Sequence, residues 1–317
     1  MSGSTVDQSQ PAAAAPEQGE RLGMLLVFLS AFVWSTGGAI ARFIGVEDDW
    51  TIVFWRSAFA AAFLLGFMIV RDGVGGAVRQ FRDMGVPGVV VGLCFATASA
   101  SFVMAIAHTT VANVQLMNAG VPLLAALIGW MLFRTRVTRA TWIAIAAVLC
   151  GVAIMVSGSF DGSISPIGDM LAVGMAVAFS LATVVTRQFS GVRMTAAVCF
   201  GTVVAALVGL GMSETLAVSW PDLALLFAFG ALNLGLGMAL FAGGARLVPA
   251  SMAALLGTFE TIAGPLWVWL VHEEIPGART LIGGAVVFAA LLLHIALQFR
   301  RAKTPVRPGV VGLPSPH

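Results

Sequence analysis

Residues 109–155 read TTVANVQLMNAGVPLLAALIGWMLFRTRVTRATWIAIAAVLCGVAIM, and their pattern decides what kind of molecule the chain makes. An apolar run over 111–133 and a second over 138–158 are parted only by a connector of arginines and threonines that holds no acid. A helix rises about 1.5 Å per residue, so about 20 apolar residues cross the hydrocarbon core of a bilayer. Both runs reach that length. The stretch therefore reads as two membrane-crossing helices joined by a basic turn.

The same unit recurs in both directions along the chain. Ten spans are expected, at 22–42, 51–70, 86–107, 111–133, 138–158, 167–187, 194–213, 222–244, 249–271 and 278–299. Turn chemistry fills the breaks: DGVGG at 72–76, SGSFDGSISP at 157–166 and VPAS at 248–251. Composition agrees, since the 317 residues are 59% hydrophobic and only 10% charged, whereas a soluble domain carries about 25% charged residues. Mean hydropathy is +0.96. So few charges cannot cover a water-facing surface, and the solvent for most of this chain is lipid.

Charge placement fixes an orientation, because Lys and Arg are retained on the cytoplasmic side of a membrane. One set of alternate connectors holds Arg71, Arg79, Arg82, Arg134, Arg136, Arg139, Arg187, Arg193 and Arg246, and the basic tail joins them. The other set holds Glu47, Asp48, Asp49, Asp161, Glu214, Asp222, Glu273 and Glu274, with Arg42 and Arg279 against the trend. Both termini are then cytoplasmic, which needs an even number of spans and supports the count. Trp50, Trp220, Trp267 and Trp269 fall towards the outer interface and Trp142 towards the inner one, as in an aromatic belt. Residues 1–21 lack the basic start of a signal peptide and, like 300–317, read as a disordered cytoplasmic tail.

The net charge of +2 and pI near 8.7 would as totals favour an acidic partner, but the separation of charge between connectors outweighs the total. No nucleic acid partner is expected. Cys94, Cys150 and Cys199 lie in apolar runs without CxxC spacing or a histidine pair, so neither a disulfide framework nor a metal site is supported. No GxxxxGK[ST] run, HExxH or paired catalytic carboxylates occur, which disfavours ATP drive and enzymatic chemistry and implies no cofactor.

Aligned with itself, the chain repeats. TWIAIAAVLCGVAIM at 141–155 resembles TLIGGAVVFAALLLH at 280–294, and the same offset of 139 residues matches Trp130 with Trp269. AFVWSTGGAIARFI at 31–44 is a weaker match to AVAFSLATVVTRQF at 176–189. The halves are 22–158 and 159–299, each of five spans. An odd number per half inverts one against the other, as in secondary transporters that bind at the midplane between repeats. The fold class is thus an all-α polytopic membrane protein with two inverted five-helix repeats around a central cavity.

The phrases VWSTGGAIAR, GDMLAVGMAVAFSLATVVTR, the stretch at 109–138, and PASMAALLGTFETIAGPLWVWLVHEEIPGARTLIGGAVVFAALLL resemble EamA-type members of the drug/metabolite transporter superfamily. The resemblance covers nearly all of 22–299 and implies a ten-helix, two-repeat carrier, often an exporter of amino acids or related metabolites. The chain departs from the family pattern in two places. Arg134-Thr135 stand where a Gly-Glu pair is common, although Glu274 keeps the acidic position in the second half, and Glu260-Thr261 replace a usual Glu-Pro.

Charged groups at depth are costly and so informative, about 2.5–3.5 kcal/mol on insertion scales. Glu260 lies mid-span: it contacts a substrate amine or carries a coupling proton, unless it only binds helices together. Arg56 is a partner for Glu260 or for a substrate carboxylate, or else an arginine snorkelling to the outer interface. Span four gathers Gln115 and Asn118 on the face that holds Pro122, which frees a backbone carbonyl near 118. That face reads as a cavity wall or as interhelical hydrogen bonding. Trp34 and Ser35 sit mid-span in the first helix, and Trp34 matches Phe179, so an aromatic wall on both sides competes with plain packing. Asn233 lies among Gly230, Gly235 and Gly237, where close helix packing is the stronger reading. Ser99 and Ser101 are expected to bond their own backbone, and His108 and His294 to be structural.

The expected function is secondary transport: export of neutral or aromatic amino acids by alternating access, with proton coupling or exchange, from a bacterial inner membrane. A channel, or an importer of sugars, nucleosides or drugs, is the alternative. The partners are a small-molecule substrate and the bilayer, for a monomer or a homodimer.

Overall fold

The structure, a computed structural model, describes residues 15–159, 166–189 and 193–302. Every described element is a helix: α1 (Ala15–Ser35), α2 (Gly37–Phe43), α3 (Asp49–Asp83), α4 (Gly85–His108), α5 (Val111–Asn118), α6 (Val121–Phe133), α7 (Arg139–Ser159), α8 (Pro166–Gln188), α9 (Met194–Met212), α10 (Trp220–Phe227), a π-helical segment (Ala228–Leu236), α11 (Gly237–Gly244), α12 (Ala250–His272) and α13 (Ala278–Ala302). Among the described residues nine helices are long and apolar enough to cross a membrane, and ten spans result when α5 and α6, bent by 46°, count as one.

Three spans are interrupted, each for a local reason. At the α1–α2 junction, Thr36 bonds the Val33 carbonyl with both its amide (3.3 Å) and its hydroxyl (2.7 Å), which diverts the ladder. Between α5 and α6, Pro122 has no N–H to return to the turn below. The eighth span passes through the π-helical segment, a wider turn that recurs at functional sites.

The boundaries differ from the sequence reading at both ends of the first half. α1 already begins at Ala15, inside the segment read as a tail up to residue 21, and Pro16 costs no hydrogen bond in a first turn. The DGVGG break is a single residue: Gly73 takes φ 73, ψ 168, and helix resumes at once to Asp83. That short helix buries Ala77 and Gln80 and exposes Val74, Val78 and Arg79. The remaining tail residues and the 160–165 part of the SGSFDGSISP break lie outside the described residues.

The two halves interlock. α1 packs on α11 as α8 packs on α4, α1 meets α12 as α8 meets α5 and α6, and α3 crosses α9 while α7 crosses α13. Each contact has its inverted equivalent, so most helices of one half lie against helices of the other. The α7–α13 crossing is closest at two glycines, where a Cβ on Gly151 would lie 2.6 Å from the Gly283 carbonyl oxygen. Small residues at such crossings let backbones approach and gain dispersion contacts that lipid does not supply.

Candidate functional site

The candidate residues fall into two groups on either side of the α1–α2 break. The first is built on α12. Glu260, Gly264 and Trp267 follow the i, i+4, i+7 spacing of one helix face. Gly264 leaves room for Gln115 of α5, whose Nε2 would lie 2.8 Å from a Cβ placed there. The Gln115 amide reaches the Glu260 carboxyl, yet its Nε2 makes no well-aligned hydrogen bond.

Glu260 is half-buried, so part of its surface stays accessible. Among the described residues no cation lies within ion-pair distance of it. One turn beyond Gln115, Asn118 ends α5 at the bend, half-buried, and its side chain bonds nothing among the described residues. Further along the α12 face, Trp267 donates its Nε1 proton to Ser35 Oγ at 3.0 Å. This corrects the belt assignment of Trp267, which points into the bundle, whereas Trp220 is 84% exposed. Ser35 itself is fully buried and donates to the Phe32 carbonyl.

The second group surrounds the π-helical segment. Asn233 donates to the Val33 carbonyl (2.6 Å) and the Trp34 carbonyl (3.3 Å), so it clamps the backbone just before the break. Trp34 packs on Phe241 of α11 at a centroid distance of 5.5 Å, and its repeat counterpart Phe179 packs on Phe95 of α4 at 5.3 Å. The two aromatics therefore occupy equivalent helix crossings. Arg56 of α3 is only 4% exposed, which overturns the snorkelling reading. It forms no ion pair with Glu260. Its Nη1 donates to Ser99 Oγ at 2.7 Å, so Ser99 serves a side chain and not its own backbone.

Sequence reading missed a buried carboxylate. Asp169 of α8 is fully buried and accepts from the Thr109 hydroxyl (2.7 Å) and the Asn113 amide (2.9 Å). Asn113 accepts in turn from Thr280 at 2.6 Å, which ties α13 to the same knot. Beside it Arg42 pairs with Glu274 at 2.9 Å, donates to the Thr109 carbonyl, and Glu274 caps α5 by accepting from the Val111 amide at 2.8 Å. Arg42, anomalous among the acidic connectors, is thus explained by its partner. These contacts join both halves and close the acidic end of the bundle.

At the basic end a cavity of about 390 Å³ opens between α6, α7, α8 and α13, lined among others by Arg136, Arg187, Gln188 and His294. None of the candidate binding residues lines it. It is a cleft apart from Glu260. Among the described residues no group of His, Cys, Asp and Glu is arranged to hold a metal.

The pattern of the EamA-like transporter family matches residues 21–157 and 166–296, one copy in each half. The chain belongs to the EamA-like transporter family. It is similar to the pseudopaline exporter CntI of Pseudomonas aeruginosa, 26% identical over 276 residues that span 85% of this chain and 94% of the relative. It is also similar to the uncharacterized transporter YwfM of Bacillus subtilis, 25% identical over 292 residues, or 88% and 95% of the two chains. A solved crystal structure shares the fold with a TM-score of 0.61 at 20% identity, covering 89% of this chain and 99% of its own. The protein is therefore a multi-pass integral membrane protein of a transporter family.

Proposed function

We propose that the protein is a secondary carrier that exports small organic metabolites by alternating access, driven by a proton gradient or by exchange. Neutral and aromatic amino acids are the first substrates to test, since Glu260 offers a carboxylate to an amine, Gln115 and Asn118 offer amides, and Phe32 and Trp267 offer aromatic faces. The basic connectors face the cytoplasm of a bacterial inner membrane, following the retention of arginine on that side. The relative named for exporting pseudopaline supports the outward direction.

One observation carries the reading: the Glu260 carboxyl lies mid-span, has no cation beside it among the described residues, and keeps accessible surface. An ionisable group at such depth is functional by default. Its polar neighbour is Gln115.

Reconstituted vesicles test the proposal by counterflow of labelled amino acids across a series of pH values. Wild type gives saturable, pH-dependent counterflow, and Glu260→Gln, folded by gel filtration, loses the pH dependence together with about tenfold or more of the flux. Non-saturable flux would make the protein a channel. Identical pH profiles for the two proteins would remove Glu260 from the mechanism.

A further inference from the structure

Among the described residues Arg56 has no counter-ion. Its guanidinium lies against two adjacent rings, with Cζ 4.3 Å from the Phe229 centroid and 5.3 Å from that of Phe102. A single hydrogen bond is recorded for it, from Nη1 to Ser99, while Nε is sealed and unpaired. Nη2 bonds nothing either, but unlike Nε it is not sealed, so the small exposed remainder of this side chain lies at the outer tip of the fork. No carboxylate is within ion-pair distance among the described residues.

An isolated cation at this depth is among the costliest arrangements in a membrane protein, and intact proteins keep one where a ligand or a partner supplies the opposite charge. Here the protein supplies aromatic faces, which hold the plane of the guanidinium, and one hydroxyl, which holds one nitrogen. What is left is a flat fork with unused N–H donors on its open edge, the shape that grips both oxygens of a carboxylate.

We propose that Arg56, with Phe102, Phe229 and Ser99, is an anion subsite that takes the carboxylate of the transported solute. This rests on the carrier reading and narrows it: substrates carry a carboxylate.

Thermal unfolding of the purified full-length protein tests the subsite. The probes are acetate, benzoate and L-phenylalanine, each against its amide, with chloride and phosphate at matched ionic strength. At least one acid raises the wild-type midpoint by several degrees at concentrations near one hundred times Kd, its amide does not, and Arg56→Gln abolishes the rise. Without ligand, Arg56→Gln melts no lower than wild type, because a cation lacking a partner is removed; a structural arginine would instead leave the variant markedly less stable. If Arg56→Gln cannot be recovered folded, Arg56→Lys keeps the charge without the fork and binds the acid about tenfold more weakly. Acids that fail to shift wild type, shift the variants equally, or act no better than their amides or than chloride and phosphate overturn the proposal. Counterflow of the same acids separates it from the carrier reading: an Arg56-dependent shift without counterflow sinks the carrier alone, and counterflow unaffected by Arg56→Gln sinks the subsite alone.

Discussion

Asp48 shows how one residue can hold a connector in place. It caps α3: Oδ1 accepts from the Trp50 amide at 3.0 Å, and Oδ2 accepts from the Thr51 hydroxyl at 2.7 Å and the Glu214 amide at 3.1 Å. Partial burial pushes its carboxyl up, but these hydrogen bonds together hold it below the ordinary value of 3.8. A depressed folded value stabilises the native state above the unfolded pKa, and that contribution fades as pH falls through the folded one. Asp48→Ala should therefore lose about 1 kcal/mol at neutral pH, the usual worth of an N-cap, and the difference from wild type should begin to shrink only as pH falls below about 4; melting curves at several pH values check this, and a constant difference at all pH would refute it. At the same scale, Arg42 and Glu274 are 28% and 20% exposed, so their coupling in a double-mutant cycle should be below about 1 kcal/mol.

At the level of elements, two helix ends share a feature that the repeat explains. Arg134 after α6 and Glu273 after α12 both adopt left-handed backbone, with φ 53 and φ 55, and they are equivalent under the offset of 139 residues. A left-handed C-cap favours glycine, which gives the departure from a Gly-Glu pair a physical meaning: the turn is kept and its strain accepted. Glu273→Gly should raise stability by about 1 kcal/mol, seen as a higher unfolding midpoint, whereas Glu273→Val should lower it. The α7–α13 crossing behaves oppositely. Gly151→Leu drives a side chain into the Gly283 backbone, which cannot yield as a side chain would, and should cost about 3 kcal/mol, measured as loss of monodisperse folded protein. Recovery of that variant at wild-type stability would show the crossing to be looser than described.

For the whole molecule, the inverted packing makes one prediction that single residues do not. If the basic connectors share a face, cysteines placed at Thr138 and at Gln188 should react with an impermeant thiol reagent from the same side, and a cysteine at Ser213 from the other. Labelling of Thr138→Cys and Gln188→Cys from opposite sides would break the five-plus-five arrangement. The halves interdigitate, so removing the second one should leave α1, α3 and α4 without their main partners, α11, α12, α9 and α8.

Much of this was legible beforehand, and particular residues show where legibility ends. The number of spans, the separation of basic from acidic connectors and the internal repeat depend on local length, hydrophobicity and charge, which act on each segment before it meets another. Glu260 was legible for the same reason, because its depth follows from its place in one span. Asp169 was not: it opens a span, where an acid looks interfacial, and it is buried only because Gly168 brings α8 against Thr109, with a Cβ there falling 2.8 Å from the Thr109 side chain. Nor could sequence tell that Trp267 turns to Ser35, that Asn233 clamps Val33, or that Arg56 is left without an acid. Those outcomes belong to helix crossings between residues more than a hundred positions apart, or across neighbouring spans, where the rotation of each helix about its axis decides which charges meet and which stay unanswered.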